Sequence, residues 1–514
     1  MKKTIVLIMV LIFSSAILFA AGGSQQRAGE LPNEVSMTVL DRGQIALAEG
    51  DYAENRWVRW INENSPVRVT FVPVTRADSG NLINAMFAAG TAPDIIWEYN
   101  KGFMDRLFAQ GVIQPVAEYI ERYSTAYKQY QERHPEMMPY LIADDGLQYG
   151  ISSMRNIQTI VNQGIFIRKD WLDRFGMAIP TTPDEAIAFM RRARDEDPSG
   201  MGTWGMGTDF SWRTVTHTMF GMAGDEFNIE NGRFVDWYST PAYRDALAYR
   251  AQIYREGLID PEIITDAPQY TRQRQFMTTG RIAMRFQGIG FQGDYFDLMR
   301  NVPNADFVPI EPLRTSYGKF GYNTEVPILK MVVMNRDARN PRAAMEYLDW
   351  LITDGYWTLS YGLEGRHYRL VNGVPQVIDA ALNRVEVDYI KGNSEFALVD
   401  NLVNRVTVDW IPIQAAQDPI SQDWARRYAA AVDITMRNPF NRHVPYGPTS
   451  PSIEAFRTAI GSQVEAIETS VIIGRISADE GFQQISAFRR ASGWDAITAE
   501  RDAWFQRNRS ILGH

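Results

Sequence analysis

The 514-residue chain contains no cysteine. That excludes disulfides, thiolate catalysis, and zinc or iron–sulfur centres held by sulfur. It also excludes a lipid-modified cysteine behind an export signal. Histidine is scarce, with five in the whole chain and none at metal-ligand spacing. There is no G-x-S-x-G turn, no H-E-x-x-H helix and no phosphate-binding G-x-x-x-x-G-K loop, so the usual signatures of acyl transfer, zinc hydrolysis and nucleotide handling are missing. Beyond the first twenty residues no run approaches the ~18 apolar residues of a membrane span. Positive charge is in the minority, 52 Lys and Arg against 61 Asp and Glu. That balance argues against nucleic acid as the main partner, because phosphate binding needs clustered cations.

Hydrophobic residues make up 45% and charged residues 22%, a globular composition with room for two or more cores. Lys2 and Lys3 precede an apolar run from Ile5 to Phe19, and small residues Ala20 to Gly23 follow. This reads as an export signal over residues 1–21. With no cysteine to carry a lipid, the expected product is periplasmic, soluble and not lipid-anchored.

From residue 35 the pattern is α/β. Val35, Met37 and Val39 alternate as in a half-buried strand, as do Val67, Val69 and Phe71. Trp57, Trp60 and Ile61 recur at helical spacing between them. A second helix runs from about Ser79 to Gly90, and Asp94–Trp97 reads as a short buried strand. Strands alternating with crossover helices predict a parallel sheet whose ligands sit beyond the strands' carboxyl ends. A second α/β region begins near residue 160. Thr182-Pro183-Asp184-Glu185 spells a capped helix start, and Thr240-Pro241 and Asn340-Pro341 open two more.

Six fragments then carry a resemblance. They are Gly90-Thr91-Ala92-Pro93-Asp94-Ile95-Ile96, Gly146-Leu147-Gln148-Tyr149-Gly150-Ile151, Arg168-Lys169-Asp170-Trp171-Leu172 with Ile179-Pro180-Thr181-Thr182, Glu256-Gly257-Leu258-Ile259-Asp260-Pro261-Glu262, Gly280 with Ala283-Met284, and Tyr361-Gly362-Leu363-Glu364-Gly365-Arg366-His367-Tyr368. In this order the chain resembles the extracellular solute-binding proteins of ABC importers, in the maltose-binding-like family and its branch of alginate- and pectin-fragment binders. The resemblance implies a periplasmic-binding-protein-like α/β fold with two lobes joined by crossing hinge segments. It places one lobe at 35–153 plus 313–366 and the other at 154–312 plus 367–514, with crossings near 152–156, 309–313 and 364–372.

It also implies a function, capture of an oligosaccharide between the lobes and delivery to a membrane permease by a monomer that is no enzyme and needs no cofactor or metal. Family positions suggest Trp97, Tyr99 and Asn100 after the P-D-I-I strand, and Gln287 and Phe291 after G-x-x-A-M. Ring faces suit sugar C–H groups and amides suit hydroxyls, although Trp97 could equally end a buried strand. Arg155 and Asn156 at the first crossing offer donors to both lobes, or an ion pair between them. Trp212, Arg366, His367, Tyr368 and Trp410 complete the candidates, with core packing the competing role for each. Asp195-Glu196-Asp197 stands where many such binders carry a calcium loop, but the later acidic ligands are replaced by Thr203, Trp204 and Met206. A secreted carbohydrate-active enzyme is the rival reading, since 61 acids supply many carboxylate pairs; a sugar sensor would share the fold and site.

Overall fold

The computed structural model describes residues 32–510 apart from 100, 144, 157–159, 162, 210–211, 223–226, 267–269, 392–394, 399, 401–405 and 441–450. The segment read as an export signal lies outside the described residues, as does Asn100.

Strands β1 (Glu34–Asp41), β2 (Arg68–Thr75) and β3 (Ile95–Glu98) run parallel, with β1 between the other two. Met37 faces Phe71 on one side and Ile95 on the other. The alternation read in the sequence is real: in β2 Val69, Phe71 and Val74 are buried while Arg68, Thr70 and Pro73 face out. The crossover helix Arg56–Asn64 starts where the Asn55 side chain accepts from the N–H groups of Trp57 and Val58. Short strands β4 (Ile113–Gln114) and β5 (Gly150–Ile151) lie near the far edge.

The chain then leaves for a second sheet. This contains β6 (Gln163–Arg168), β7 (Trp204–Thr208), β8 (Ile282–Gly288) and β9 (Phe307–Ile310), in the order β9-β6-β8-β7. Strand β8 runs parallel to β7 and antiparallel to β6. The helix Pro183–Glu196 has both halves of the capping box read from its sequence, and Pro241–Arg255 and Pro341–Ile352 start at their prolines. After β9 the chain returns and inserts β10 (Met331–Asn335) antiparallel between β3 and β4.

The outgoing and returning segments are joined to each other. Met154 bridges Ile328 and Val161 bridges Thr324, so two backbone strands cross side by side between the two sheets. Ile310, Leu313 and Tyr322 belong to the second core, whereas Val326 and Ile328 belong to the first. The return therefore falls between 322 and 326, later than the 309–313 expected. Val387, Tyr389, Ile390 and Phe396–Leu398 also pack into the first core, beyond the boundary expected at 366. Ile411 and Trp424 lie in an apolar cluster around β8 and β9, so the last change of core comes after Leu398. The long C-terminal helix Pro419–Arg437 packs against β6 and β9, and Pro451–Ile472 packs against the helix Pro241–Arg255.

Candidate functional site

Because β1, β2 and β3 are parallel, the residues that follow them emerge at one edge. Arg42, Arg76 and Tyr99 meet there, with the guanidinium carbons of Arg42 and Arg76 at 5.3 and 5.4 Å from the Tyr99 ring centre. Lys330, just ahead of β10, brings a third cation to 5.6 Å from the same ring. Two carboxylates balance them: Glu98 lies 3.4 Å from Arg76, and Glu395 accepts from Arg42 at 2.5 Å and from the Tyr99 hydroxyl at 3.3 Å. Residues Glu395 to Leu398 are all buried. Phe396 packs its ring against Tyr52 and Phe71, and the Ala397 carbonyl accepts from Lys330. This short segment thus caps the strand ends. Burial, reinforced by Glu395, pushes the Tyr99 hydroxyl well above its ordinary pKa, and burial holds the Lys330 amine well below its own.

The second sheet presents a cavity of about 510 Å³ in the corresponding place. The helix Trp212–Met219 starts directly beyond the carboxyl end of β7. Trp212, Tyr238, Tyr270, Arg213, Arg250 and Glu468 all line the space, above an apolar floor that includes Ile263, Ile460 and Val464. Glu468 organises the charges. It accepts from Arg213 at 3.0 Å, from Arg250 at 3.1 Å and from the Tyr243 hydroxyl at 2.7 Å. Burial alone would raise its carboxyl, but Arg213 and Arg250 outweigh that and hold it well below the carboxylate range. The Arg250 guanidinium also covers the Trp212 ring at 4.7 Å. His217 lies beneath, almost wholly buried. Its imidazole is kept neutral by burial and by the charge of Arg213. Aromatic faces beside fixed forked donors are the components that grip a polyhydroxylated or carboxylated ring.

A family model described as bacterial extracellular solute-binding protein matches residues 51–356. The chain belongs to that family. Among curated relatives it is similar to lipoprotein LipO of Bacillus subtilis, 22% identical over 471 residues and covering 86% of each chain. It is similar also to the polygalacturonan/rhamnogalacturonan-binding protein YtcQ of the same bacterium, 24% identical over 292 residues, which are 54% of this chain and 56% of the other. Among solved structures, the alginate-binding protein AlgQ2 without calcium ion superposes with a TM-score of 0.70 at 19% identity, covering 92% of this chain and 98% of that one. The fold is therefore periplasmic-binding-protein-like, two α/β lobes with crossing segments between them. One expectation is corrected. A soluble, unanchored periplasmic product does not stand beside a relative named a lipoprotein over most of the chain's length. The missing cysteine, which motivated that expectation together with the export signal, speaks only to a sulfur-linked lipid. Among the described residues no helix is long and apolar enough to cross a membrane.

Within this solute-binding fold the expected contact residues separate sharply. Trp212 lines the second-lobe cavity, and half-buried Tyr99 sits in the strand-end cluster of the first. Trp97 does not present a ring to any ligand: it is 0% exposed, roofed by Lys330. Phe291 is likewise core, edge-on to Phe166 and Trp424 at 4.9 and 4.8 Å. Gln287 is half-buried at the end of β8 and accepts from Arg285. Arg366 and His367 bind Glu386. The His367 Nδ1 accepts from the Leu363 N–H at 2.8 Å, so Nε2 carries the proton that Glu386 receives. Tyr368 packs edge-on to Tyr361. Arg366 and His367 thus tie the segment ahead of the Tyr368–Val371 strand to the helix Ala380–Glu386, and Tyr368 packs toward the helix Asp354–Tyr361.

Arg155 spans the crossing, donating to the Ile328 carbonyl at 3.2 Å and lying 3.4 Å from Glu325. Asn156 is half-buried beside it. Trp410 stacks on Trp357 with ring centres 6.4 Å apart, and Trp357 leans on Tyr361. In the Asp195–Asp197 turn, Asp197 accepts from the Ser199 and Thr203 hydroxyls and the Gly202 N–H. Among the described residues no group of three acids or histidines is placed to hold a metal.

Sequence reading missed Arg42, Lys330 and Glu395 on the first lobe, and Tyr238, Arg250 and Glu468 on the second. The carboxyl-end rule for parallel strands pointed at Arg42. Nothing local marks Glu468, which sits within a 22-residue helix and meets Arg213 from 255 positions away.

Proposed function

We propose that the chain captures an oligosaccharide in the cleft between its lobes and hands it to the permease of an ABC importer, binding the sugar without transforming it. The observation that carries this reading is the cavity beyond β7, where Trp212, Tyr238 and Tyr270 stand with Arg213 and Arg250 around Glu468. Tyr99, Arg155, Asn156 and Gln287 face the ligand from the other sides in this reading, with Trp410 as a further contact. The ligands named for its relatives, polygalacturonan and rhamnogalacturonan for YtcQ and alginate for AlgQ2, support a sugar chain that bears carboxylates. A guanidinium fork meets a carboxylate through two parallel donors.

The two cores move as bodies in this proposal, residues 34–151 with 326–398 against 163–322 with 411–508, about the paired crossing strands. Closure gains free energy only when ligand touches both faces. A thermal-shift screen over neutral and uronate tetrasaccharides, followed by calorimetric titration of the best, tests the function. The expected result is a raised melting temperature with the sugar recovered intact. Cleavage products would establish an enzyme, and a flat screen across all sugars would reject carbohydrate as the ligand.

A further inference from the structure

The first lobe carries a second recess, far from the cleft. Its volume is about 840 Å³, and it opens among the helices Arg56–Asn64, Ala126–Arg133, Pro341–Ile352 and Asp354–Tyr361. Ser65 and Pro66, just ahead of β2, form part of its rim. The recess therefore lies at the end of the sheet where β1 and β2 begin. Each of those strands is eight residues long, so about 25 Å separates it from Arg42 and Tyr99. No single short ligand spans both places.

Two indoles define its floor. Trp60 and Trp350 lie 5.6 Å apart with their planes tilted by 35°. Trp350 is fixed from behind: Tyr347 stacks on it at 5.9 Å, and a Cβ added at Gly355 would come within 2.8 Å of its ring. The pair is thus a rigid platform built against a glycine, with Trp60 half-buried and reaching the opening.

The polar rim tells what the platform takes. Among the described residues its lining contains no lysine or arginine. Asp349 is already engaged, accepting from the Ser124 hydroxyl and from the N–H groups of Thr125, Ala126 and Tyr127. Glu346 accepts from Arg342. Asn64, whose amide also donates to the Trp60 carbonyl at 2.8 Å, stands around the indoles with Thr125, Gln129 and Asp354 as exposed amides, a hydroxyl and a carboxylate. Such a rim repels phosphates and uronates but pairs with hydroxyls, while the indole faces pack on sugar C–H groups. We propose that this recess is a second saccharide site, selective for neutral sugars, on the outer pole of the first lobe. The inference stands on these residues alone and is independent of what the cleft binds.

Fluorine spectra of the full chain carrying 5-fluorotryptophan test it, with resonances assigned from Trp60→Phe and Trp212→Phe. Cellotetraose, maltotetraose and mannotetraose are the neutral probes; tetragalacturonate and spermine are the charged ones. At least one neutral probe is expected to move the Trp60 resonance, and tetragalacturonate to leave it in place. Gly355→Ala, checked for an intact melt, should weaken that response about fivefold to tenfold, and Trp60→Ala should weaken binding of the same neutral probe by as much in calorimetric titration. Silence at Trp60 with all three neutral probes overturns the proposal. So does a response to spermine alone, which would make the recess a cation site, or an equal response to tetragalacturonate. Movement of the Trp212 resonance reports the cleft separately, so failure of one site is told apart from failure of the other.

Discussion

Lys330 holds its ammonium nitrogen 4.1 Å above the centre of the Trp97 ring and donates to the Ala397 carbonyl at 3.0 Å. A residue of β3 that would otherwise end at the cleft is thereby sealed by a cation from the returning chain and a loop from residues 395–398. The arrangement has a cost. Burial lowers the lysine's pKa, so between its folded and unfolded values the unfolded chain binds more protons, and stability rises with pH across that window. The melting temperature of the native chain relative to Lys330→Met should therefore climb as pH rises toward the ordinary lysine range. Paired melts check this, and a gap that narrows with rising pH would contradict it.

Glu386 has the same sign against pH, but it adds stability where buried Lys330 costs it. Arg366 in first place, then His367 and Arg56, hold its carboxyl down at about 2. Its contribution is complete above the ordinary carboxylate range and is lost as pH falls through about 2. Glu386→Gln should cost about 1–2 kcal/mol at pH 7, discounted because Arg366 stands in water. The same variant should converge with the native chain near pH 2. Urea melts at several pH values provide the measurement.

Phe291 and Tyr270 separate packing from recognition. Phe291→Ala opens a hole among Phe166, Phe307 and Trp424 and should cost about 3–5 kcal/mol, with ligand affinity per folded molecule retained. Half-buried Tyr270 lines the cavity, and Tyr270→Ala should weaken ligand binding about tenfold, ~1.4 kcal/mol, while the apo melt barely moves. Calorimetric titration alongside melts distinguishes the two, and exchanged outcomes would place the site elsewhere.

Removing the charge of Glu468 leaves buried Arg250 and half-buried Arg213 without their counter-ion. Glu468→Gln should destabilise the second lobe by about 3–5 kcal/mol. Replacing the whole set with Glu468→Leu, Arg213→Met and Arg250→Met should recover most of that loss. A triple variant no better than the single one would show that the charges do more than neutralise each other.

Local features were legible in the sequence and distant ones were not. The capping box at Thr182 and Glu185 and the alternation in β1 and β2 depend on residues a few positions apart, and they stand as read. Trp97 and Phe291 carry the composition of sugar platforms. What covers them comes from Lys330 and Trp424, residues with no local tie to either strand. His367 is a similar case, because its role is decided by Glu386 nineteen positions on. The boundary at 366 shifts for the same reason: residues 387–390 and 396–398 return to pack into the core made at the start of the chain.

Strand β10 lies between β3 and β4 in the first sheet, yet the whole second sheet is encoded before it. A chain emerging from the ribosome can therefore assemble β1, β2 and β3 early but cannot close that sheet until residue 335 has been made. The closure brings together segments separated by an entire lobe, and ordering so long an intervening loop slows the step. During that wait the open flank of β3 exposes Trp97 and Ile95 as an unpaired apolar edge, which makes it the natural place for a chaperone to hold the nascent chain and for aggregation to begin when none does.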